Sequence, residues 1–510
     1  VVGKDVPYPL LEAVAESSGA ALLHGLAHLQ TAEFLYETSP GPDTEYTFKH
    51  ALTHEVAYGS LLQDRRRSLH ARILEAIERR DPDRLDEQVD RLAHHALRGE
   101  AWDQAVRYLR KAATKAHSRS AYREAVGHLN DALEAIERLP KTRETMEVAF
   151  DASMELRAAL FQLGEADQLR GCLNRAEALA GALGDPRRIA LVSGSVGNHC
   201  WWTGQPDRAL VHAEQGFGLL AKLEDDYAVG NAFGIGQACH ALGEYRRAIE
   251  YMAPIADSLS GGKLRWRPPG VGGFTSVFSR TWLSWSLSEC GDIAAATHHS
   301  EEAVRIAELL ENPSGLVQAY GERGRLALFL GEVDRAILAL EHALRVSQLA
   351  NVPLWRPWAT AALGAAYAEA RRTAEGIALL DEAVRAAEAT RFMFGQSRRV
   401  AWLAEAHRLA GRIDEAAALA RRAVDLAVTH RERGHEAWAW HTLARAEAAA
   451  DHYRRALTLA EELEMRPLVA HCHLGLGRLQ GAPAHLATAA ELFRETGLPH
   501  WVAQAEAPAA

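Results

Sequence analysis

A repeat of about 40 residues constrains this chain more than any other feature. It is clearest in Leu326 to Ala350, LALFLGEVDRAILALEHALRVSQLA. This stretch reads as the end of one helix, a turn centred on Gly331, and a second helix starting at Val333. Ala336 and Ala343 lie seven residues apart on one face of the second helix, and Gly324 lies seven before the turn. Turn positions recur at Gly164, Gly204, Gly243, Gly291, Gly331, Arg371 and Gly411, with spacings of 40, 39, 48, 40, 40 and 40. Alanines at the later helix position recur at Ala303, Ala343, Ala383 and Ala423. A fixed period in this range predicts a solenoid of helical hairpins, each burying its apolar face against its neighbours. Small residues recur where the two helices of a hairpin cross closely, so a leucine at Ala343 would overpack by about 1–3 kcal/mol.

A solenoid also accounts for the length, since 510 residues are too many for one compact core. The net charge of −10 argues against a general nucleic-acid binder, which needs a basic stripe. Arg65-Arg66-Arg67 is the tightest basic cluster, and a solvated helix face accounts for it. The five cysteines (Cys172, Cys200, Cys239, Cys290 and Cys472) form no CxxC pair, which fits a reduced, cytoplasmic protein. No apolar run approaches the roughly 20 residues that span a bilayer, so no membrane partner is expected. The opening VVGKDVPYPLLEAV has neither an initiator Met nor a signal-peptide layout and reads as a piece cut from something longer.

Residues 1–80 differ from the rest. Leu10, Leu11 and Val14, then Leu22, Leu23, Leu26 and Leu29, mark two short amphipathic helices. Phe34-Leu35-Tyr36 and Tyr46-Thr47-Phe48 read as the strands of one β-hairpin around the turn-rich SPGPD at 39–43. Helix, helix, hairpin is the outline of a small winged-helix-like domain. A helix follows from about His50 to Leu62, then a basic helix from Asp64 to Arg80 that Asp81-Pro82-Asp83 ends. Residues 81–140 hold the first helical hairpins, and LPKTR at 139–143 is a candidate joint before the array at 141–510.

TFKHALTHEVAYGSLL (47–62) followed by RRRSLHARILEAIE (65–78) resembles the bacterial STAND-class signalling ATPases, especially those associated with an adenylate/guanylate cyclase domain. RSAYREAV (119–126), SRTWLSWSL (279–287), FGQSRRVAWLAEAHRLAGR (394–412) and MRPLVAHCHLGLGRL (465–479) resemble the tetratricopeptide (TPR) array of that family, as do Leu363-Gly364 and Tyr367 in the Leu-Gly-x-x-Tyr register. The resemblance runs essentially from end to end. It implies an all-α, TPR-like superhelix preceded by the winged helix, and a parent protein with an ATPase that binds ATP or ADP with Mg. This chain has no GxxxxGK[ST] phosphate loop and no cyclase-like segment, so no enzyme and no cofactor of its own are expected.

The TPR period is about 34 residues, so a period of 40 implies helices longer by one to two turns. Two irregularities stand out. SGGKLRWRPPGVGG at 260–273 is a Gly/Pro-rich loop insertion. Near the end, Ala423, Ala456 and Ala489 are only 33 apart, with the shortfall at Ala448–Asp451 and Gln480–Pro483. No Gly or Pro supplies a turn near 450, so loops missing there are expected, the alternative being shortened turns, with Glu447–Tyr453 as one helix.

Two sets of residues are functional candidates. The resemblance implies that a winged-helix histidine near the hairpin contacts the phosphates of ADP held by the neighbouring ATPase domain, and Phe48-Lys49-His50 matches that role, with His50 as donor. In TPR arrays the first helix of each hairpin lines a concave groove. Carried onto this register, the lining positions hold Asn198, Trp201, Trp202, Phe278, Trp285, Trp358, Arg398, Trp438 and His441. Trp and Arg most often anchor partners, although long helices can also bury such tryptophans between hairpins. No metal site is expected: His50 and His54 lack a third ligand, and His94-His95, His298-His299 and His471-Cys472-His473 point in diverging directions along their helices. Gly234-Ile235-Gly236 and Gly475-Leu476-Gly477 fall mid-helix, as close-packing glycines and not as dinucleotide loops.

These readings lead to two functions. The first is the regulatory sensor region of a STAND ATPase, binding a protein, peptide or small signalling ligand in the groove and communicating with its own ATPase domain. The alternative is a stand-alone TPR adaptor whose binding is independent of nucleotide.

Overall fold

The computed structural model describes residues 1–510 except 18, 40–43, 81, 120, 269–272, 353 and 508–510. The tip of the SPGPD loop, the helix stop at Asp81 and the middle of the 260–273 insertion therefore lie outside the described residues. The fold is all-α with one small sheet, and packing divides it into two compact units, Val1–Ala159 and Leu160–Ala510.

In the first unit, β1 (Asp5–Pro7), β2 (Leu35–Ser39) and β3 (Glu45–Phe48) form an antiparallel sheet in the order β1-β3-β2. The expected hairpin is β2–β3, with Tyr36 opposite Thr47. The third strand is an addition to it. DVP is too short to show alternation, and its proline is tolerated because β1 lies at a sheet edge. Val6, Leu26, Leu35 and Tyr46 form the core under this sheet, with the helices Tyr8–Val14 and Ala20–Thr31 beside it. The helices Ala51–Gly59 and Gln63–Arg80 follow as expected, and His70, Ile73, Leu74 and Ile77 are buried on the second. Arg65 and Arg67 pair with Glu16 and Asp64, the solvated-face behaviour expected of the basic run. The helices Val89–Arg98, Trp102–Ser118 and Tyr122–Ile136 then bury Ala105, Ala112, Ala125 and Ala132 almost completely. The next helix, Arg143–Leu163, runs through the division between the units.

The second unit is a TPR-like superhelix of paired helices. In the central repeats most helices run 17 or 18 residues, as in Pro313–Leu330 and Val333–Leu349, and this length produces the 40-residue period. All seven expected turn residues have left-handed φ, from 66° at Arg371 to 92° at Gly291. The last repeats differ from expectation. The helices Ala450–Glu462, Arg466–Gln480 and Pro483–Glu495 are only 13 to 15 residues long. The turn before the first of them is made by Ala448 at φ 49°, and that before the last by Gly481 at φ 60°. The residues present close both turns, and Glu447–Tyr453 is not one helix. The period shortens because the helices do, and an alanine takes a conformation that a sequence reader reserves for glycine.

The superhelix coils tightly enough for residues a full turn apart to meet. Asp167 pairs with Arg391 at 2.6 Å, Asp207 with Arg431 at 2.8 Å, and Arg246 with Glu464 at 3.0 Å. The contacts repeat at the hairpin period because each early turn docks on a later connection between hairpins. At Gly331 the approach is close enough that a β-carbon would collide with His500, so glycine is needed there twice, for φ and for space. All five cysteines are free and buried. Among the described residues no helix is long and apolar enough to cross a membrane.

Candidate ligand cavity inside the superhelix

The first helix of each hairpin faces the inside of the superhelix, where the expected groove residues lie. Thr275–Cys290 shows how enclosed this interior is, because all of its residues are buried. Neighbouring hairpins cover its sides, and Arg466–Gln480 packs on it from the next turn. Ser276, Ser284, Ser286, Ser288 and Glu289 are therefore committed to internal hydrogen bonds. Ser284 donates to Glu322, which also pairs with Arg325 at 2.7 Å, and Arg325 donates to Ser288 at 2.9 Å.

The structure separates the expected groove residues into two groups. Trp201, Trp202, Phe278, Trp285 and Trp358 fill the middle of the interior with their own rings. Trp201 stacks on Phe394 at 4.5 Å, Trp202 on Phe392 at 4.0 Å, and Trp285 meets Trp358 at 4.7 Å. Phe278 approaches Trp355 edge-on. The space left among Trp282, Trp285, Trp355, Trp358, Phe392 and Phe394 is about 30 Å³, roughly one water molecule's share of liquid volume. Asn198 is half-buried and is not among the residues lining the larger cavity described next.

Arg398, Trp438 and His441 come together at the other end, around a cavity of about 530 Å³. This volume is within the range of small-molecule sites. The Arg398 guanidinium lies 4.5 Å from the Trp438 ring centre and 5.4 Å from that of Trp402. It makes no hydrogen bond or ion pair with any of the described residues. Burial pulls its pKa down to about 10, against the pull of Glu289, so it remains charged at neutral pH. Glu289 ties the two regions together by accepting from Trp285 Nε1 at 3.2 Å and Trp438 Nε1 at 2.9 Å.

The other arginines of the cavity have partners. Arg408 and Arg445 share Glu405, at 2.7 and 3.1 Å, and Arg478 donates to Gln504. Burial, and then the Glu405 charge, raises the pKa of Glu369. Burial likewise holds His441 well below the usual imidazole range and His471 at about 3, so both are neutral. Five arginines and two glutamates line the space, which leaves it electropositive, and Arg398 is the arginine among them whose donors are all unused.

In the first unit, His50 is exposed at the N-cap of Ala51–Gly59, and its side chain makes no capping bond. Its neighbour Lys49 pairs with Glu33 at 2.6 Å. A wider concavity of about 820 Å³ in this unit is also rich in cations. Arg107, Arg110, Lys111 and Lys115 are all paired there, with Glu78, Glu155, Asp86 and Asp90. The His94-His95 pair gains a neighbour that adjacency in sequence could not show. His70, from another helix, brings three imidazole nitrogens within 4.8 Å of one another. Tyr58 and His95 take both nitrogens of His70, at 3.1 and 2.9 Å, and His94 lies edge-on to the His70 ring at 5.5 Å. His471, Cys472 and His473 diverge as expected, His471 towards the cavity and His473 to His485 at 2.7 Å.

Sequence reasoning missed Trp282, Trp355, Phe392 and Phe394 in the aromatic region, and Trp402, His471 and Trp501 around the cavity. Phe392 and Phe394 carried a usable signal. Two phenylalanines in a short connection between helices are out of place unless something covers them, and here Trp201 and Trp202 do.

A tetratricopeptide repeat model matches residues 317–348, the hairpin around Gly331. Among known proteins the chain is 32% identical over 135 residues to an uncharacterized protein of Rhizobium meliloti (strain 1021), a match covering 26% of this chain and 13% of that protein. Among solved structures, a Rap protein complexed with Competence and Sporulation Factor superposes with a TM-score of 0.54 at 16% identity, covering 70% of this chain and 98% of the other. A STAND protein with a tetratricopeptide repeat sensor from Pyrococcus horikoshii aligns over 98% of this chain and 60% of its own, at 12% identity and a TM-score of 0.36. The chain is a TPR-like helical-repeat protein.

Proposed function

We propose that this chain is the sensor region of a STAND-class signalling ATPase, in which a protein, peptide or small ligand enters the superhelix and controls the ATPase and its effector domain. The observation that carries the reading is the cavity of about 530 Å³ around an unpaired arginine, beside a middle region filled by its own aromatic side chains. The Rap protein of similar fold is complexed with Competence and Sporulation Factor, which supports a TPR superhelix of this kind as a ligand receptor. The STAND parent rests on the resemblance of 47–62 and 65–78. On that reading residues 1–80 are a winged-helix-like domain, and exposed His50 reaches the phosphates of ADP in the neighbouring ATPase domain.

Such a switch requires the ligand to prefer the active state. Moving the balance from 1:99 to 99:1 takes a preference of about 10⁴-fold. The test is nucleotide release from the intact parent. His50→Ala is expected to speed ADP loss, and unchanged retention removes that role. Ligand binding indifferent to bound nucleotide would favour the stand-alone adaptor instead.

A further inference from the structure

We propose that the cavity around Arg398 is a carboxylate-binding site, in which the guanidinium takes the carboxylate of an organic acid or of a peptide C-terminus and the aromatic walls take the apolar part next to it. This deepens the sensor reading and rests on it only for its physiological meaning. A guanidinium presents two parallel N–H donors that match a carboxylate, and in a partly desolvated site each charge-assisted bond is stronger than a neutral one. Arg398 is held in place by its ring contacts with Trp438 and Trp402, so its donors are oriented without being used. Leaving such a group without an anion is costly inside a protein, and a ligand that supplies one recovers that cost.

The donors left unused select the class of anion. Arg325 pairs with Glu322, Arg408 and Arg445 share Glu405, and Arg478 donates to Gln504. The planar guanidinium of Arg398 matches a planar carboxylate edge to edge, whereas the further oxygens of a phosphate dianion would meet lining arginines whose donors are already engaged. Phe329, Trp402, Trp438 and Trp501 line the same space, so the preferred acid carries an aromatic or branched apolar group.

Calorimetric titration of the whole chain with 3-phenylpropionate and with its neutral analogue 3-phenylpropanamide tests the proposal. The acid is expected to bind about 10-fold or more tightly than the amide. Arg398→Gln should abolish that preference, Arg398→Lys should weaken it, and Arg445→Gln should leave it in place. The peptide Gly-Leu-Gly-Phe, with a free or an amidated C-terminus, distinguishes the source. Tighter binding of the free peptide than of the small acid points to peptide C-termini, and the reverse order to a metabolite acid. Equal binding of acid and amide, no binding by either at millimolar concentration to a chain that melts cooperatively, or an unchanged preference in folded Arg398→Gln or Arg398→Lys would overturn it. An acid that binds without altering nucleotide exchange in the intact parent would sink the sensor reading and leave this site standing. Exchange that responds to some other ligand, with no binding of these acids, would do the opposite.

Discussion

The middle of the superhelix and its cavity end are built from the same kind of helix facing the same interior, yet they use it in opposite ways. Around Trp201 and Trp285 the rings pack on one another and leave about 30 Å³. Around Arg398, Trp438 and His441 the walls stand apart and leave about 530 Å³. The composition of the inward face does not separate the two, since both contain tryptophan. What separates them is whether an opposing element reaches across. In the middle, the connection carrying Phe392 and Phe394 arrives from the next superhelical turn and caps Trp201 and Trp202. At the cavity end Trp501 arrives from the last helix and donates to the Phe329 carbonyl at 3.0 Å, but it stands in the wall, the terminal helices are shorter, and the space remains. An inward tryptophan is thus core or binding wall according to a contact made about 190 residues away along the chain, as between Trp202 and Thr390.

Truncation is the strongest way to break this distinction. Trp285→Ala removes a buried ring and should cost about 3–5 kcal/mol in urea denaturation. Trp402→Ala, on the half-buried cavity wall, should cost about 1–2 kcal/mol. Equal losses would mean that the two regions are equally core. If instead Trp285→Ala removed ligand binding from a chain of undiminished stability, the filled middle would itself be a binding surface.

A smaller effect should come with acid. His471 is buried and neutral, with a folded pKa near 3 against an ordinary value of 6.5. Between those values the unfolded chain binds the proton and the folded one does not, so stability falls as pH drops from about 6.5 towards 3. His240, buried in the aromatic region, has the same sign. Denaturation midpoints at pH 7.5 and 5 measure the loss, and His471→Gln should shrink the difference between them. A midpoint that rises in acid would contradict the burial described here.

The smallest change is expected where the turns of the superhelix touch at the surface. Asp207→Asn breaks the exposed pair with Arg431, and exposed pairs contribute less than about 1 kcal/mol. Hydrogen exchange near Gly204 and His430 is the sensitive readout, because the His430 ring also meets the Gly204 carbonyl at 2.8 Å. A large global loss would show that the coil is held by its ion pairs and not by its packed turns.

Much of the fold was legible in advance for a local reason. A left-handed turn demands a residue that tolerates positive φ, and a close helix crossing demands a small one, so the hairpin around Gly331 appears in sequence as glycine and alanine at fixed spacing. The same reasoning misread the turn near 450, where Ala448 accepts the strained conformation and the shorter helices change the period. The strand Asp5–Pro7 was hidden because three residues carry too little pattern, and its pairing with β3 spans 42 residues between Asp5 and Thr47. Among the candidate site residues, sequence placed Arg398, Trp438 and His441 on inward positions but could not show that Arg398 lacks a carboxylate while Arg325 has one three residues away.

The sequence by itself determined the repeat, its turns, and which faces look inward, because those depend on neighbours within one hairpin. The tertiary structure alone decided how tightly the repeats coil. That pitch is the sum of small rotations between successive hairpins, which no single repeat encodes. From the pitch follow the contact of Trp202 with Phe392, the burial of the whole Thr275–Cys290 helix, and the space left open around Arg398.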